Sequence, residues 1–273
     1  MSAIDEAFKS CRAERRAAFI PYITAGDPDL KVSRDLLLAL GRAGADVIEL
    51  GIPFSDPIAD GPVNQRAALR SLESGTTLSG IFDLVAGVRD QLGAPVVLFT
   101  YFNPVHARGF ERFADQAASS GVDGVLCVDL PIEEAVADYL PTMKSRSLDA
   151  IFLLAPTSTR DRVRAAGESS SGFVYYVSRT GVTGDQGELP AELLRDAKAI
   201  RRRVRKPLAV GFGISLPDQA IRVGQVADGV VVGSALVRKV EEAAGSPALA
   251  EILEDEALAF SEALRSRAGK RRL

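Results

Sequence analysis

The feature that most constrains the fold of this chain is a regular alternation of short apolar segments with longer amphipathic ones. Parallel strands need crossover connections of this kind, usually helices. Eight such strand–helix units in 273 residues predict an α/β fold, a (β/α)8 TIM barrel, with a doubly wound open sheet as the alternative. The predicted strands are Phe19–Thr24, Val47–Gly51, Val96–Tyr101, Gly124–Asp129, Ala150–Ala155, Phe173–Ser178, Leu208–Gly213 and Gly229–Gly233. The predicted helices between them include Leu30–Arg42, Phe110–Ser120, Ile132–Ser145, Arg160–Ala166 and Ala191–Arg203.

The residues before the first strand predict an additional helix. Ile4, Phe8 and Cys11 recur at spacings of four and three, which places them on one helical face. We expect this helix, within residues 1–16, to cover one end of the barrel. The whole chain, 1–273, is expected to be a single barrel domain whose basic tail, 266–273, is disordered.

The composition excludes several classes of function. With 47% hydrophobic and 25% charged residues and a net charge of −3, it is typical of an ordinary globular protein with neither a nucleic acid nor a membrane as partner. We find no signal segment and no run of eighteen apolar residues, and the two cysteines suggest no disulfide framework, so a cytoplasmic location is expected. A single histidine, and no acidic cluster with metal-ligand spacing, argue against a metal site.

An acidic residue interrupts the second predicted strand, in the segment ADVIELGIPFSDPIADG at 45–61. Because side chains alternate across a strand, Glu49 shares a face with Val47 and opposes Ile48 and Leu50. Either apolar face gives a carboxylate with a raised pKa, suited to donating a proton near neutral pH. Two prolines end the strand, so Asp56 and Asp60 are predicted to lie on a loop, where simple Asx turns are the alternative role.

Glycine motifs follow the last two predicted strands. GFGIS at 211–215 and GSA at 233–235 stand where barrels often bind a phosphate through backbone N–H groups and a helix N-terminus. The Gly/Thr-rich segment 179–187 could close over the same phosphate. Tight turns and a plain surface loop are the alternatives for these segments.

The absence of lysine from the predicted strand ends narrows the reaction class. None of the seven lysines lies at the C-terminal end of a predicted strand, which argues against a Schiff-base aldolase. Proton transfer by carboxylates remains, although Glu49 could also be a buried acid with only a structural role.

These residues closely resemble the alpha chain of tryptophan synthase. The matching motifs occur in the right order and span the barrel, and the one at 45–62 is the most specific to the family. They are PYITAGDPD at 21–29, ADVIELGIPFSDPIADGP at 45–62, TYFNPV at 100–105, GVLCVDLPIEE at 124–134, APTST at 155–159, VSRTGVTG at 177–184, GFGIS at 211–215 and ADGVVVGSA at 227–235.

The resemblance implies reversible retro-aldol cleavage of indole-3-glycerol phosphate to indole and glyceraldehyde 3-phosphate. It implies that Glu49 is the acid and base at the ring carbon and the chain hydroxyl, and that Asp60 accepts or stabilises the proton of the indole nitrogen. The substrate or its phosphate would be bound by Tyr22, Tyr101, Tyr175, Thr183, Gly184, Phe212, Gly213, Gly233 and Ser234. A stand-alone lyase and a non-catalytic phosphate-binding barrel are the alternative functions.

The resemblance also implies a partner. Members of the family work in an alpha2-beta2 complex with a beta chain that carries pyridoxal phosphate, so no cofactor is expected in this chain. The partner surface and closing loop would include Asp56, Asn103, Pro104 and Asp129. One position departs from the family pattern, because Asn64 stands where an apolar pocket residue is expected.

Overall fold

A computed structural model describes residues 1–177, 189–211 and 213–266 of the chain. Its strands form one parallel sheet in the order β5-β4-β3-β2-β1-β9-β8-β7-β6. They are β1 Ala18–Thr24, β2 Ile48–Gly51, β3 Val96–Thr100, β4 Gly124–Cys127, β5 Asp149–Ile151, β6 Leu153–Leu154, β7 Val174–Val177, β8 Leu208–Gly211 and β9 Gly229–Val232. All eight predicted strand positions are occupied, which confirms the TIM barrel.

The fifth predicted strand differs from expectation in being split into β5 and β6 by Phe152. β5 pairs with β4, and β6 pairs with β7 on the other side. The backbone N–H of Phe152 donates to the Ser170 side chain at 3.2 Å, and its carbonyl accepts from the N–H of Tyr175 at 3.0 Å. The chain therefore passes from one neighbouring strand to the other at Phe152, and the sheet closes around the barrel.

The helices surround the sheet. They are α1 Ala3–Ala13, α2 Leu30–Arg42, α3 Pro62–Glu73, α4 Leu78–Val88, α5 Phe102–Arg108, α6 Phe110–Ser119, α7 Ile132–Ala135, α8 Tyr139–Ser145, α9 Arg160–Ser169, α10 Ala191–Arg201, α11 Pro217–Gly224, α12 Ser234–Glu242 and α13 Leu249–Ser266. The helix predicted over 132–145 is two helices, α7 and α8. Pro141 accounts for the break, because it has no N–H to continue a helical ladder from α7.

The long connection after β2 is mostly helical. It contains α3 and α4, so only residues 52–61 lie outside regular structure between β2 and α3. Pro62 at the start of α3 suits a first helical turn, where its missing N–H costs nothing. The loop that carries Asp56 and Asp60 is therefore short and runs directly into a helix.

Two apolar cores lie on the two faces of the sheet. The outer core, between sheet and helices, contains Ile48 and Leu50. The inner core fills the barrel and contains Val47 and Val97 together with Phe8 of α1. Ile4, Phe8 and Cys11 of α1 are all buried in this inner core, as their spacing predicted. Glu49 thus points into the barrel, because it shares the face of Val47.

Within the described ranges, no helix is both long enough and apolar enough to cross a membrane.

Candidate active site

A pocket whose empty space, including the part open to solvent, is about 580 Å³ lies at the C-terminal ends of the strands. It is lined by Tyr22, Asp60, Gly61, Val63, Asn64, Phe99, Tyr175, Gly213, Ile214, Val231, Gly233 and Ser234. Six of the residues predicted from the sequence therefore meet in one pocket: Tyr22, Asp60, Tyr175, Gly213, Gly233 and Ser234.

Glu49 lies on β2, inside the barrel. It is paired in register with Tyr22 of β1 and Val97 of β3, and its exposed fraction is 0%. Neither oxygen of its carboxylate has a hydrogen-bond partner in the described part of the chain. Burial without compensating donors disfavours the charged form and raises the pKa of Glu49 to about 8. The carboxyl group can therefore hold or release a proton near neutral pH.

Three aromatic side chains, Tyr22, Phe99 and Tyr175, line the pocket. Phe99 lies between Tyr22 and Tyr175, with ring centroids at 5.4 and 6.4 Å. Burial raises the pKa of both tyrosines, and the charges of Glu49 and Asp60 raise it further. Both acids are thus within electrostatic range of the same two phenols, although Glu49 does not itself line the open pocket.

Two glycines at strand ends make room for these phenols. A Cβ atom at Gly51 would overlap the hydroxyl oxygen of Tyr22, and one at Gly211 would overlap that of Tyr175. Gly211 was predicted as part of a phosphate motif, but it does not line the pocket. In the structure it accommodates Tyr175.

Asp60 lies at the end of the loop after β2 and is held by hydrogen bonds. The hydroxyl of Tyr101 donates to Asp60 Oδ2 at 2.9 Å and accepts from the backbone N–H of Ala59 at 3.0 Å. The ring of Tyr101 also packs on Phe54, with centroids 5.1 Å apart. Tyr101 does not line the pocket, but it fixes the loop through its contacts with Phe54, Ala59 and Asp60.

Partial burial raises the pKa of Asp60, while hydrogen bonds from Tyr101 and Asn64 oppose that rise. These donors favour the charged carboxylate. The α3 side of the loop adds a further anchor, since Gln65 Nε2 donates to the carbonyl of Asp60 at 2.9 Å. Asp60 is therefore both oriented and partly kept ionised by its neighbours.

The opposite wall of the pocket has the features of an anion site. Gly213 has a φ of +77°, a conformation that favours glycine. Gly233 and Ser234 stand at the start of α12, whose first N–H groups lack partners within the helix. Because glycine has no Cβ, phosphate oxygens can closely approach the backbone N–H groups at such a helix N-terminus, which is a common phosphate site.

An ion-pair network joins the two helices that border the pocket. Arg66 and Arg70 of α3 both bind Glu241 of α12, with N–O distances of 2.7 Å. Arg70 also forms two hydrogen bonds of 2.8 Å with the buried carboxylate of Asp27. The network sets the position of α3, which begins just after Asp60, relative to α12. Sequence reasoning missed it, because the four residues lie on three separate segments.

The predicted partner residues lie on the same rim as the pocket. Asp56, Asn103 and Asp129 are exposed, and Pro104 is partly exposed. Asp129 accepts a hydrogen bond of 2.6 Å from the N–H of Phe102 at the start of α5. Ile58 on the loop beside Asp56 is 89% exposed.

Three predicted site residues, Thr183, Gly184 and Phe212, lie outside the described residues, as does the end of the basic tail. Sequence reasoning did not identify the apolar lining of Val63, Phe99, Ile214 and Val231. Alternation along β3 and β9 could have found two of them, because Phe99 and Val231 share the inward face with Val97 and Gly229. In the described ranges no group of His, Cys, Asp and Glu is arranged to hold a metal ion.

The sequence model of the family described as "Tryptophan synthase alpha chain" matches residues 8–264. The chain belongs to the tryptophan synthase alpha chain family. It is 51% identical over 245 residues to the tryptophan synthase alpha chain of Geotalea uraniireducens, covering 90% of this chain and 91% of that one. It is 49% identical over 252 residues to that of Geobacter sp. (strain M21), covering 92% and 94%.

Solved structures of tryptophan synthase agree with this assignment. The alpha chain from Legionella pneumophila superposes with a TM-score of 0.89 at 35% identity, covering 98% of this chain and 99% of that one. A Mycobacterium tuberculosis tryptophan synthase structure gives a TM-score of 0.88 at 36% identity, covering 97% and 98%. The (β/α)8 fold and the family are therefore shown independently by sequence and by structure.

As a tryptophan synthase alpha chain, the protein is a carbon–carbon lyase of tryptophan biosynthesis. It catalyses the reversible cleavage of indole-3-glycerol phosphate to indole and glyceraldehyde 3-phosphate. Membership in the family also implies a beta chain as its partner.

Proposed function

We propose that Glu49 and Asp60 divide the proton transfers of this lyase reaction. The observation that carries the proposal is the Glu49 carboxylate, which is wholly buried, has no partner among the described residues and has a pKa of about 8. Such a group is largely protonated at neutral pH and can act as a general acid. Asp60, with donors that favour its charged form, suits the opposite role of acceptor.

The two roles match the bonds that change. Protonated Glu49 donates its proton to the ring carbon that bears the glycerol chain, and Asp60 stabilises or accepts the N–H proton as positive charge develops on the ring. The bond from the ring carbon to the chain then breaks, its electron pair returns to the ring, and the ring nitrogen recovers any proton that Asp60 accepted. The chain hydroxyl becomes the aldehyde by giving its proton to the Glu49 carboxylate. Glu49 thus ends the cycle protonated, as it began.

The remaining pocket residues would hold the substrate at its two ends. Phosphate is proposed to bind at Gly213, Gly233 and Ser234, where N–H groups at the start of α12 point toward the pocket. Tyr22, Phe99 and Tyr175 supply a flat apolar surface suited to an indole ring. Thr183, Gly184 and Phe212 stay predicted members of the same site.

The partner surface is proposed to be the rim that contains Asp56, Asn103, Pro104 and Asp129. It includes the highly exposed Ile58, and it is continuous with the loop that ends at Asp60. An alpha2-beta2 assembly, pyridoxal phosphate on the beta chain only and a cytoplasmic location complete the proposal. A beta chain that ordered residues 53–60 would tighten the approach of Asp60 to its substrate.

The test is an indole-release assay on Glu49→Gln, with and without a beta chain. Glutamine has nearly the same shape but cannot donate or accept the proton, so we expect indole formation to fall by at least about 10³-fold, toward the upper end for a general acid–base group. Binding of indole-3-glycerol phosphate should be retained, because the phosphate residues are unchanged. Turnover within tenfold of the parent chain would refute the role of Glu49.

A further inference from the structure

Besides the two oxygens of Glu49, the described residues contain one further buried side-chain polar atom without a hydrogen-bond partner, Oδ1 of Asn64. The proposed proton transfers account for Glu49 but not for Asn64. A buried carbonyl oxygen without a donor is unfavourable, and such atoms in native proteins usually have a functional reason. Asn64 lines the pocket, so its free acceptor lies at the site where substrate binds.

The orientation of the Asn64 amide follows from its neighbour. Asn64 donates toward the Asp60 carboxylate, and this hydrogen bond lowers the pKa of Asp60. Only the NH2 end of an amide can face a carboxylate, since the carbonyl oxygen would be repelled. The NH2 end of the amide therefore faces Asp60, and Oδ1 is left as the free acceptor.

The backbone at Asn64 is held firmly. Asn64 is the third residue of α3, and this helix is fixed to α12 and to Asp27 through Arg66 and Arg70. An acceptor on a rigid helix can impose a direction on a ligand more precisely than one on a loop. Neighbouring Gln65 makes no such contact with the pocket, since its amide binds loop carbonyls instead.

We propose that Asn64 is a further substrate-binding residue, which holds Asp60 through Nδ2 and accepts a hydrogen bond from the ring N–H of the substrate through Oδ1. This rests on the proposed position of the ring N–H at Asp60. Asp60 and Asn64 Oδ1 then provide two acceptors, a carboxylate and an amide oxygen, for the one ring N–H. The pair discriminates against ligands of the same shape that lack the N–H, because Oδ1 would then stay buried without a donor and Asp60 would lose one of its hydrogen bonds.

The experiment compares two isosteric probes on the full chain by calorimetry at about pH 8.5. One is 3-(indol-3-yl)propyl phosphate, which has the ring N–H and the phosphate but no chain hydroxyl. The other is its benzofuran analogue, in which oxygen replaces the N–H. We expect Asn64→Leu, which keeps the shape, to reduce the preference for the indole probe by about five- to tenfold, the effect of one hydrogen bond. Asn64→Ala is a second variant in case leucine perturbs α3, and it should give the same loss of preference.

An unchanged preference in both variants, or an equal loss of affinity for both probes, would overturn the inference. The first outcome would leave a chain hydroxyl or no ligand group as the partner of Oδ1, and the second would mean that Asn64 only shapes the pocket. Asp60→Ala, which leaves no side-chain acceptor at this position, separates this from the proposed function. If Asp60→Ala loses the preference and Asn64→Leu keeps it, only the role of Asn64 fails. If neither variant loses it, the ring N–H does not bind at Asp60, and the proposed role of Asp60 fails together with that of Asn64.

Discussion

Glu49 and Asp60 are two carboxyl groups at one end of the same barrel, but the structure holds them in opposite ways. Glu49 is fixed by its strand, is completely buried and has no hydrogen-bond partner among the described residues. Asp60 ends a loop, is partly buried and is held by Tyr101 through a 2.9 Å hydrogen bond. Burial raises the pKa of both groups, but donors oppose that rise only at Asp60.

The difference shows how one site obtains an acid and an acceptor from two similar side chains. Desolvation alone keeps Glu49 protonated near neutral pH, whereas hydrogen bonds to the charged form keep Asp60 ionised at lower pH. Carboxyl groups whose environments separate their pKa values can take different roles in one reaction. The comparison predicts that each acid can be disabled by a change that the other would tolerate.

Among substitutions on the loop, Asp60→Asn is expected to have the largest effect on the rate of indole release. An amide in place of the carboxylate cannot stabilise the developing charge on the ring nitrogen, so kcat should fall by about 10²–10³-fold. The measurement is steady-state indole release with saturating substrate. KM should change far less, because the proposed phosphate-binding residues Gly233 and Ser234 are unchanged.

Asp56→Asn is the matched control for Asp60→Asn. Asp56 lies on the same loop but is exposed and bonded only to Ser55 among the described side chains. The isolated chain with this change should keep its rate within about twofold, as surface substitutions usually do. A loss below tenfold for Asp60→Asn, or an equal loss for both variants, would reduce Asp60 to a loop residue.

On the strand side, the comparison predicts an effect on stability in addition to the loss of rate. The pKa of Glu49 rises from an ordinary value of 4.5 to about 8 on folding, so the folded chain binds more protons than the unfolded chain between these pH values. Stability therefore falls as pH rises through this window. Glu49→Gln removes that dependence and should exceed the parent chain in unfolding free energy by about 3–5 kcal/mol above pH 8.

Urea unfolding at a series of pH values measures this difference. The two chains should converge as the pH falls below 4.5, where Glu49 is protonated in both the folded and unfolded states. A difference that stayed constant with pH would show that the Glu49 pKa is not raised by folding. The gain in stability alongside lost activity would identify the buried acid as a feature kept for chemistry.

The order of strands and the shared face of Glu49 and Val47 could be predicted from the sequence, because alternation along a strand is local information; which of the two faces points inward could not. The break at Phe152 and the separation of α7 from α8 could not, since one depends on Ser170 and Tyr175 and the other on how a proline is accommodated. The same holds in the site. The sequence indicates an acid in a dry setting at position 49, but its lack of a partner depends on what β1, β3 and β7 supply around it.

Asn64 and Tyr101 illustrate the same limit on the loop side. The family resemblance predicts that Tyr101 binds the substrate, whereas Asn64 is only a departure from the apolar pattern of the family. The structure instead places Tyr101 behind Asp60 and Asn64 beside it. Which side chain reaches Asp60 depends on the path of residues 52–61 relative to β3, and neither segment reveals that path alone.

The smallest predicted effect tests whether hydrogen bonds are what distinguish Asp60 from Glu49. Tyr101→Phe removes the hydroxyl that donates to Asp60 but keeps the ring that packs on Phe54. Because that hydrogen bond lowers the pKa of Asp60, its loss should raise the pKa, and the acid limb of the pH–rate profile should move to higher pH. At its optimum the rate should fall by about three- to tenfold, the effect of one hydrogen bond. The alkaline limb, assigned to Glu49, should not move.

Tyr139→Phe is the matched control, since the Tyr139 hydroxyl is also buried but donates to the carbonyl of Val125, outside the pocket. It should leave both limbs in place. If Tyr101→Phe shifted both limbs equally, the two carboxyl groups would be titrating as one coupled pair. The different roles of Glu49 and Asp60 would then arise from their coupling to each other and not from the different surroundings of strand and loop. A shift confined to the acid limb would instead show that the hydrogen bond from Tyr101 stabilises the ionised form of Asp60. Glu49 has no such donor among the described residues.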